Sequence, residues 1–214
     1  MNMRTLSPID RLIDELDHSL RTLYGTPYTT ARPDPAEGFE EAQLSDAERA
    51  LAGDLLRVDH AGEVSAQGLY RGQALTARDA QTRAQMAQSA LEENDHLQWC
   101  EARLDALGTH KSLLGPFWYW GSYGIGACAG LLGDRWSLGF IDETEQQVVR
   151  HLSDHLDRLP AEDHKSRAVL EQMREDETHH AHKARAAGGA TLPWPARKLM
   201  HAVSRVMTTA ASRI

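Results

Sequence analysis

Apolar positions recur with a helical period along most of the chain. Leu12, Ile13, Leu16, Leu20 and Leu23 form one stripe, opened by Ser7 as a cap with Pro8 in the first turn, and predict a short leading helix. Pro27, Pro33, Pro35 and Gly38 then make Thr26 to Gly38 read as a linker. Ser45 and Glu48 have capping-box spacing, and helical periodicity follows to about Ala77. A polar break at Arg78 and Asp79 leads into a second run that stops at Gly108. Leu138, Ile141, Val148, Leu152, Leu156 and Leu159 mark a later helix ended by Pro160. Val169, Leu170, Met173 and Ala184 mark the next, ended by Gly188 and Gly189. These four long runs predict two antiparallel hairpins and an all-α class.

Two stretches break the pattern. Ser112 to Gly133 carries no charged residue, is about as long as a membrane span, and gathers Trp118, Tyr119, Trp120 and Tyr123 near one end. Its six glycines and Pro116 make it a poor straight helix, so it reads as an interfacial or substrate-facing segment, or equally as a buried crossover. From Pro195 onward, Arg197, Lys198, Arg205 and Arg213 accompany an apolar stripe of Leu199, Val203, Val206, Met207 and Ile214. A basic amphipathic helix of this kind lies on an anionic membrane surface or packs on its own bundle. The expected organisation is an N-terminal helix over 1–25, a linker over 26–44, and one domain over 45–214 that includes the apolar crossover 112–133 and the basic amphipathic helix 195–214.

Composition narrows the function. With 214 residues the chain has room for one domain with a full core. A formal charge of -8 argues against nucleic acid as a partner, because phosphate-backbone binding needs a basic face. The two cysteines, Cys100 and Cys128, match no metal or disulfide spacing and suggest a reducing compartment. The N-terminus shows no basic head followed by an apolar run, so a cytoplasmic location is expected.

The chemistry concentrates in two Glu-x-x-His motifs, Glu93 to His96 and Glu177 to His180. With 11 histidines, chance supplies roughly one such motif, so each alone is weak. Their arrangement is stronger. Side chains three apart on a helix share a face, so a carboxylate and an imidazole reach the same ion. Carboxylate-bridged two-metal bundles take one Glu from each of two helices and Glu-x-x-His from each of two others. Glu63 and Glu145 fit the lone positions. The midpoint of 63 and 93 is the expected turn at 78, and that of 145 and 177 is 161, beside Pro160. Both hairpins thus place a lone Glu level with its motif. Glu145 continues the stripe of Leu138, Ile141, Val148 and Leu152, whereas Glu143 points roughly 200° away. Glu93 and Glu177 are in register with apolar neighbours, while Glu92 and Glu175 fall off those stripes. Four carboxylates on an apolar face require a counter-charge, and four carboxylates with two neutral imidazoles carry about -4, matching two divalent ions. Oxygen and nitrogen ligands suit iron or manganese, with zinc not excluded. Asp95 is a candidate to orient a ligand imidazole, whereas His60, His151 and His179 are expected at exposed helix positions.

At these residues the sequence resembles the demethoxyubiquinone hydroxylase family of ubiquinone biosynthesis. RVDHAGEVSAQGLYRGQ at 57–73 resembles the family's first ligand motif, ENDHL at 93–97 its first Glu-x-x-His, Glu145 with His151 its third segment, and DETHH at 176–180 its last. The likeness covers about residues 45–190 and departs at Leu152, where the family often has tyrosine after the histidine. It implies a ferritin-like four-helix bundle with added interfacial helices and two Fe2+ ions held by Glu63, Glu93, His96, Glu145, Glu177 and His180. It further implies O2-dependent hydroxylation of a polyprenylated methoxy-benzoquinol on the cytoplasmic face of the cell membrane, with other ubiquinone-biosynthesis proteins as possible partners. The alternatives are a ferritin- or rubrerythrin-like iron-binding or peroxidase protein, a di-iron hydroxylase of another substrate such as tRNA, and a metal-free membrane adapter. Iron loading far above two ions per chain would favour the first and the absence of stoichiometric iron the last.

Overall fold

A computed structural model describes residues 7–214; the first six residues, which entered the reading of the N-terminus, lie outside the described ones. Among the described residues the secondary structure is seven helices: α1 (Pro8–Tyr24), α2 (Asp46–Thr76), α3 (Ala80–Ala106), α4 (Gly115–Leu131), α5 (Asp134–Arg158), α6 (His164–Ala186) and α7 (Trp194–Ala211). Local chemistry sets the starts. Ser7 and Ser45 each form a capping box, with Asp10 and Glu48 respectively, while Asp79 and Asp163 accept the amides of Thr82 and Ser166.

The bundle is built from α2, α3, α5 and α6. α2 packs along α3 and α5 along α6 as two antiparallel hairpins, joined by contacts of α3 with α6 and of α2 with α5. The hairpin turns fall at 77–79 and 159–163, where the polar break and Pro160 predict them. Two apolar clusters fill opposite ends. Leu55, Leu56, Leu104, Leu152, Leu156, Leu170 and Met173 pack at one end; Tyr70, Met86, Leu138, Ile141 and Ala184 pack at the other. The six candidate ligands lie at the levels between them, so hydrocarbon shields the polar layer from both ends of the bundle.

The segment 112–133 departs from expectation: α4 runs for 17 residues as a helix. Its glycines serve contact rather than breakage. A Cβ on Gly68 of α2 would collide with the Tyr119 carbonyl, and one on Gly126 of α4 with the Leu69 carbonyl. Dispersion between closely approached backbones offsets the low helix propensity of glycine. One side of the segment is a buried crossover, with Tyr119, Gly126 and Gly130 against α2, while Phe117, Trp120, Ile125 and Leu131 face outward.

α1, α4 and α7 together cover the outer flank of α2, meeting in a cluster of Leu23, Val58, Ala61, Val64, Trp118, Tyr119 and Ala211. Each also keeps an apolar face exposed. On α1 it is Ile9, Leu12, Ile13, Leu16 and Leu20, while Arg71 of α2 grips Asp14 and Glu15 on the other side. On α7 it is Leu199, Val203 and Val206. No helix among the described residues is long and apolar enough to cross a membrane.

Candidate metal centre

Between the two apolar clusters the inward stripe of each bundle helix turns acidic. Glu63, Glu93, His96, Glu145, Glu177 and His180 are each 2% exposed or less, a burial that ionised carboxylates tolerate only with compensating charge. Glu63, Glu93, His96 and Glu177 each present a ligand atom within 4.8 Å of the others. His180 joins them through Nδ1, 3.0 Å from Glu93 Oε1 and 3.2 Å from Glu177 Oε2. Glu145 stands at the edge, its Oε1 accepting the Tyr70 hydroxyl at 2.8 Å. Glu143, its rival on α5, points away to pair with Arg150 at 3.5 Å.

The oxygens exceed the available hydrogens. His96 Nδ1 lies 2.9 Å from Glu93 Oε2, 3.2 Å from Glu177 Oε1 and 3.6 Å from Glu63 Oε2, yet one ring nitrogen carries at most one hydrogen. Glu63 Oε2 and Glu93 Oε1 are buried without a hydrogen-bond partner. Cations would resolve this excess, and the oxygen and nitrogen donor set fits divalent transition metals. Without cations, protons do the same task. Burial, reinforced by Glu93, raises the Glu63 carboxyl well above its ordinary 4.5, and burial with Glu177 and Glu93 does so for Glu145. Burial alone would lower His96, but its hydrogen bonds to Asp176, Glu177, Glu63 and Glu93 raise it well above 6.5. Burial likewise opposes the charge on Glu93, and His180 with His96 overcomes it and holds that carboxyl well below 4.5.

Two outer acids complete the layer, and they are exchanged between the motifs. His96 Nε2 lies 2.9 Å from Asp176 Oδ2, and His180 Nε2 lies 2.7 Å from Glu92 Oε2. The acid preceding each Glu-x-x-His therefore holds the imidazole of the other motif. The hydrogen bond from His180 brings Glu92 to about 2. Sequence reasoning missed both, placing Glu92 off the inward stripe and giving the orienting role to Asp95. Asp95 touches neither ligand imidazole. The signal was present as acid-Glu-x-x-His occurring twice, in 92–96 and 176–180.

Asp95 acts at one remove, through the stretch between α1 and α2. Its carboxylate accepts the Thr30 amide at 2.8 Å, the Thr30 hydroxyl, and Arg32 Nε at 2.8 Å. Arg32 Nη1 reaches Asp176 at 2.7 Å, and its guanidinium lies 4.9 Å over the Trp99 ring. Ala31, between the two contacting residues, holds φ at 60°, a left-handed conformation that costs about 1 kcal/mol. The remaining histidines divide. His179 is exposed as expected; His60 is buried against Glu101 at 3.2 Å; His151 is only partly exposed and packs on His155 beside Asp59.

Known proteins match this chain over nearly its whole length. The family described as ubiquinone biosynthesis protein COQ7 matches residues 50–211. The chain belongs to this family. A protein of Nitrosococcus oceani named 3-demethoxyubiquinol 3-hydroxylase is 56% identical over 211 residues, covering 99% of both chains. Proteins of the same name from Polynucleobacter necessarius, 52% identical over 98% of this chain and 100% of the relative, and from Laribacter hongkongensis, 54% over 93% and 96%, agree. All six candidate ligands and both outer acids fall within the matched region.

Proposed function

We propose that this protein hydroxylates the ring of a demethoxyubiquinol with O2 at two iron ions held by Glu63, Glu93, His96, Glu145, Glu177 and His180. The observation that carries the reading is the convergence of these buried groups with more carboxylate oxygens than hydrogens to satisfy them. Glu93 turns one oxygen to His96 and the other to His180, and Glu177 does the same. These two carboxylates would therefore serve both ions, with Glu63 and His96 holding one and Glu145 and His180 the other. The iron pair supplies the redox capacity for using O2 when bound. With metal bound, Asp176 and Glu92 would hold the imidazole hydrogens at Nε2 and leave the inward Nδ1 atoms free to ligate. Tyr70 steadies Glu145 by donating to it. Protons that neutralise Glu63 and Glu145 in the metal-free protein must leave as metal enters.

Tyr70, Met86, Ser89, Leu138, Ile141 and His180 line a narrow pocket of about 10 Å³, room for one water, on the side of the cluster toward the α2–α3 turn. Arg78 of that turn bonds the Leu131 carbonyl, so exposed Leu131 and Leu132 sit at the same end of the bundle. The exposed stripes of α1, α4 and α7 and the cations of α7 support peripheral attachment to the cytoplasmic membrane face. Expression in a bacterium accumulating demethoxyubiquinone tests the assignment. The wild type should restore ubiquinone and hold an iron pair in this cluster, and Glu145→Ala should do neither. A folded wild type that leaves the intermediate accumulated refutes the substrate.

A further inference from the structure

A second histidine–carboxylate group lies below the centre, on the side away from the narrow pocket. Asp59 on α2 and His151 and His155 on α5 each offer a ligand atom within 4.8 Å of the others. Asp59 is one helical turn from Glu63, and His151 is six residues from Glu145, so the group sits roughly 6 to 9 Å along the bundle from the main cluster. It shares no residue with that cluster. Asp59 and His155 are buried, and His151 is 31% exposed.

The Asp59–His155 contact alone accounts for part of this arrangement. His155 Nδ1 lies 2.8 Å from Asp59 Oδ1 and 3.0 Å from Oδ2, an ordinary buried pair. His151 is the residue that pair leaves unexplained. Its Nε2 is buried, lacks a hydrogen-bond partner, and lies 3.8 Å from Asp59 Oδ1, which the His155 hydrogen bond, directed to Oδ2, leaves unsatisfied. The two imidazoles pack at a tilt of 56° with centroids 3.9 Å apart, and burial, reinforced by the neighbouring His155, lowers His151 below its ordinary 6.5, favouring the neutral form that binds metals. Ligand atoms of one ion bound at about 2.1 Å stand roughly 3 to 3.5 Å apart, close to the separations seen here. Two imidazoles and one carboxylate leave coordination positions open, and the partial exposure of His151 gives water access to them.

We propose that Asp59, His151 and His155 form a third metal site, which takes one divalent first-row transition ion independently of the dinuclear centre. Coordination through His155 Nδ1 requires its proton to shift to Nε2 or leave to solvent, and the carboxylate of Asp59 supplies the negative charge. His151→Ala is the clean test, because that imidazole holds nothing else in place. Anaerobic titration of the full chain with Co2+, followed by equilibrium dialysis and visible absorption, should show about three ions per wild-type chain and about two for His151→Ala, with unchanged melting of the metal-free protein. Asp59→Asn, which keeps the shape of the pair, should also lose one ion. Glu177→Gln should leave the His151-dependent ion in place, which separates this site from the dinuclear reading. A protein that binds only one ion, lost in His151→Ala, would uphold this site while overturning the other. Equal Co2+ stoichiometry and spectra in wild type and His151→Ala would show the group to be a plain ion pair beside a spectator histidine, and would end the proposal.

Discussion

Replacing Arg32 with alanine should weaken both the fold and metal binding, although Arg32 touches no candidate ligand. Its guanidinium bridges Asp95, whose side chain is 1% exposed, and Asp176, which is 15% exposed and holds His96. Stripping one partner from a fully buried pair costs about 3–5 kcal/mol. Here the loss is smaller, because Arg32 is itself 33% exposed, so water can enter, and Thr30 still donates two hydrogen bonds to Asp95. Loss of the contact over Trp99 adds about 0.5–1 kcal/mol. The total is about 2–3 kcal/mol, which for a chain of this length lowers Tm by about 5–10 °C. Asp176, no longer fastened, orients His96 less firmly, and metal affinity should fall about tenfold. Calorimetry of the metal-free protein and competitive chelator titration measure the two effects separately. Arg32→Lys, with charge but no fork, should recover only part of each. A variant with lowered Tm but wild-type metal affinity would reduce Arg32 to a brace for the 26–44 stretch. Wild-type values of both would refute the argument altogether.

Three further outcomes follow from the same geometry. His96 and His180 keep protons above their ordinary 6.5, so above neutral pH the folded metal-free chain holds more protons than the unfolded one. Its stability should therefore fall from about pH 7 to about pH 8.5 while metal affinity rises, and a Tm of the metal-free protein that climbs over this range contradicts the protonation states. Tyr70→Phe leaves a buried Glu145 oxygen unpaired and should cost the metal-free protein about 1–3 kcal/mol by denaturant melts, less once metal is bound. Gly68→Ala drives a methyl into the Tyr119 carbonyl and should cost at least about 2–3 kcal/mol, with α4 the first element to lose amide protection in hydrogen exchange.

Much of the bundle and its polar layer was legible in the sequence because it depends on short spacings. A helix repeats every 3.6 residues, so Glu145 rather than Glu143 had to face inward with Leu138, Ile141 and Leu152. An antiparallel hairpin pairs positions equidistant from its turn, so Glu63 had to meet Glu93, and Glu145 to meet Glu177. The tertiary structure alone decided what depends on the offset and rotation of one helix against another. The exchange of Glu92 and Asp176 between the motifs is of this kind, because each acid reaches an imidazole at least 80 positions away. So is the seating of Arg32 between Asp95 and Asp176, since no periodicity governs a segment rich in proline. The glycines of 112–133 were ambiguous for the same reason: glycine weakens an isolated helix, yet strengthens one whose backbone must press against Gly68 and Gly72. Local pattern sets which way a side chain faces, and only the packed fold sets what it meets there.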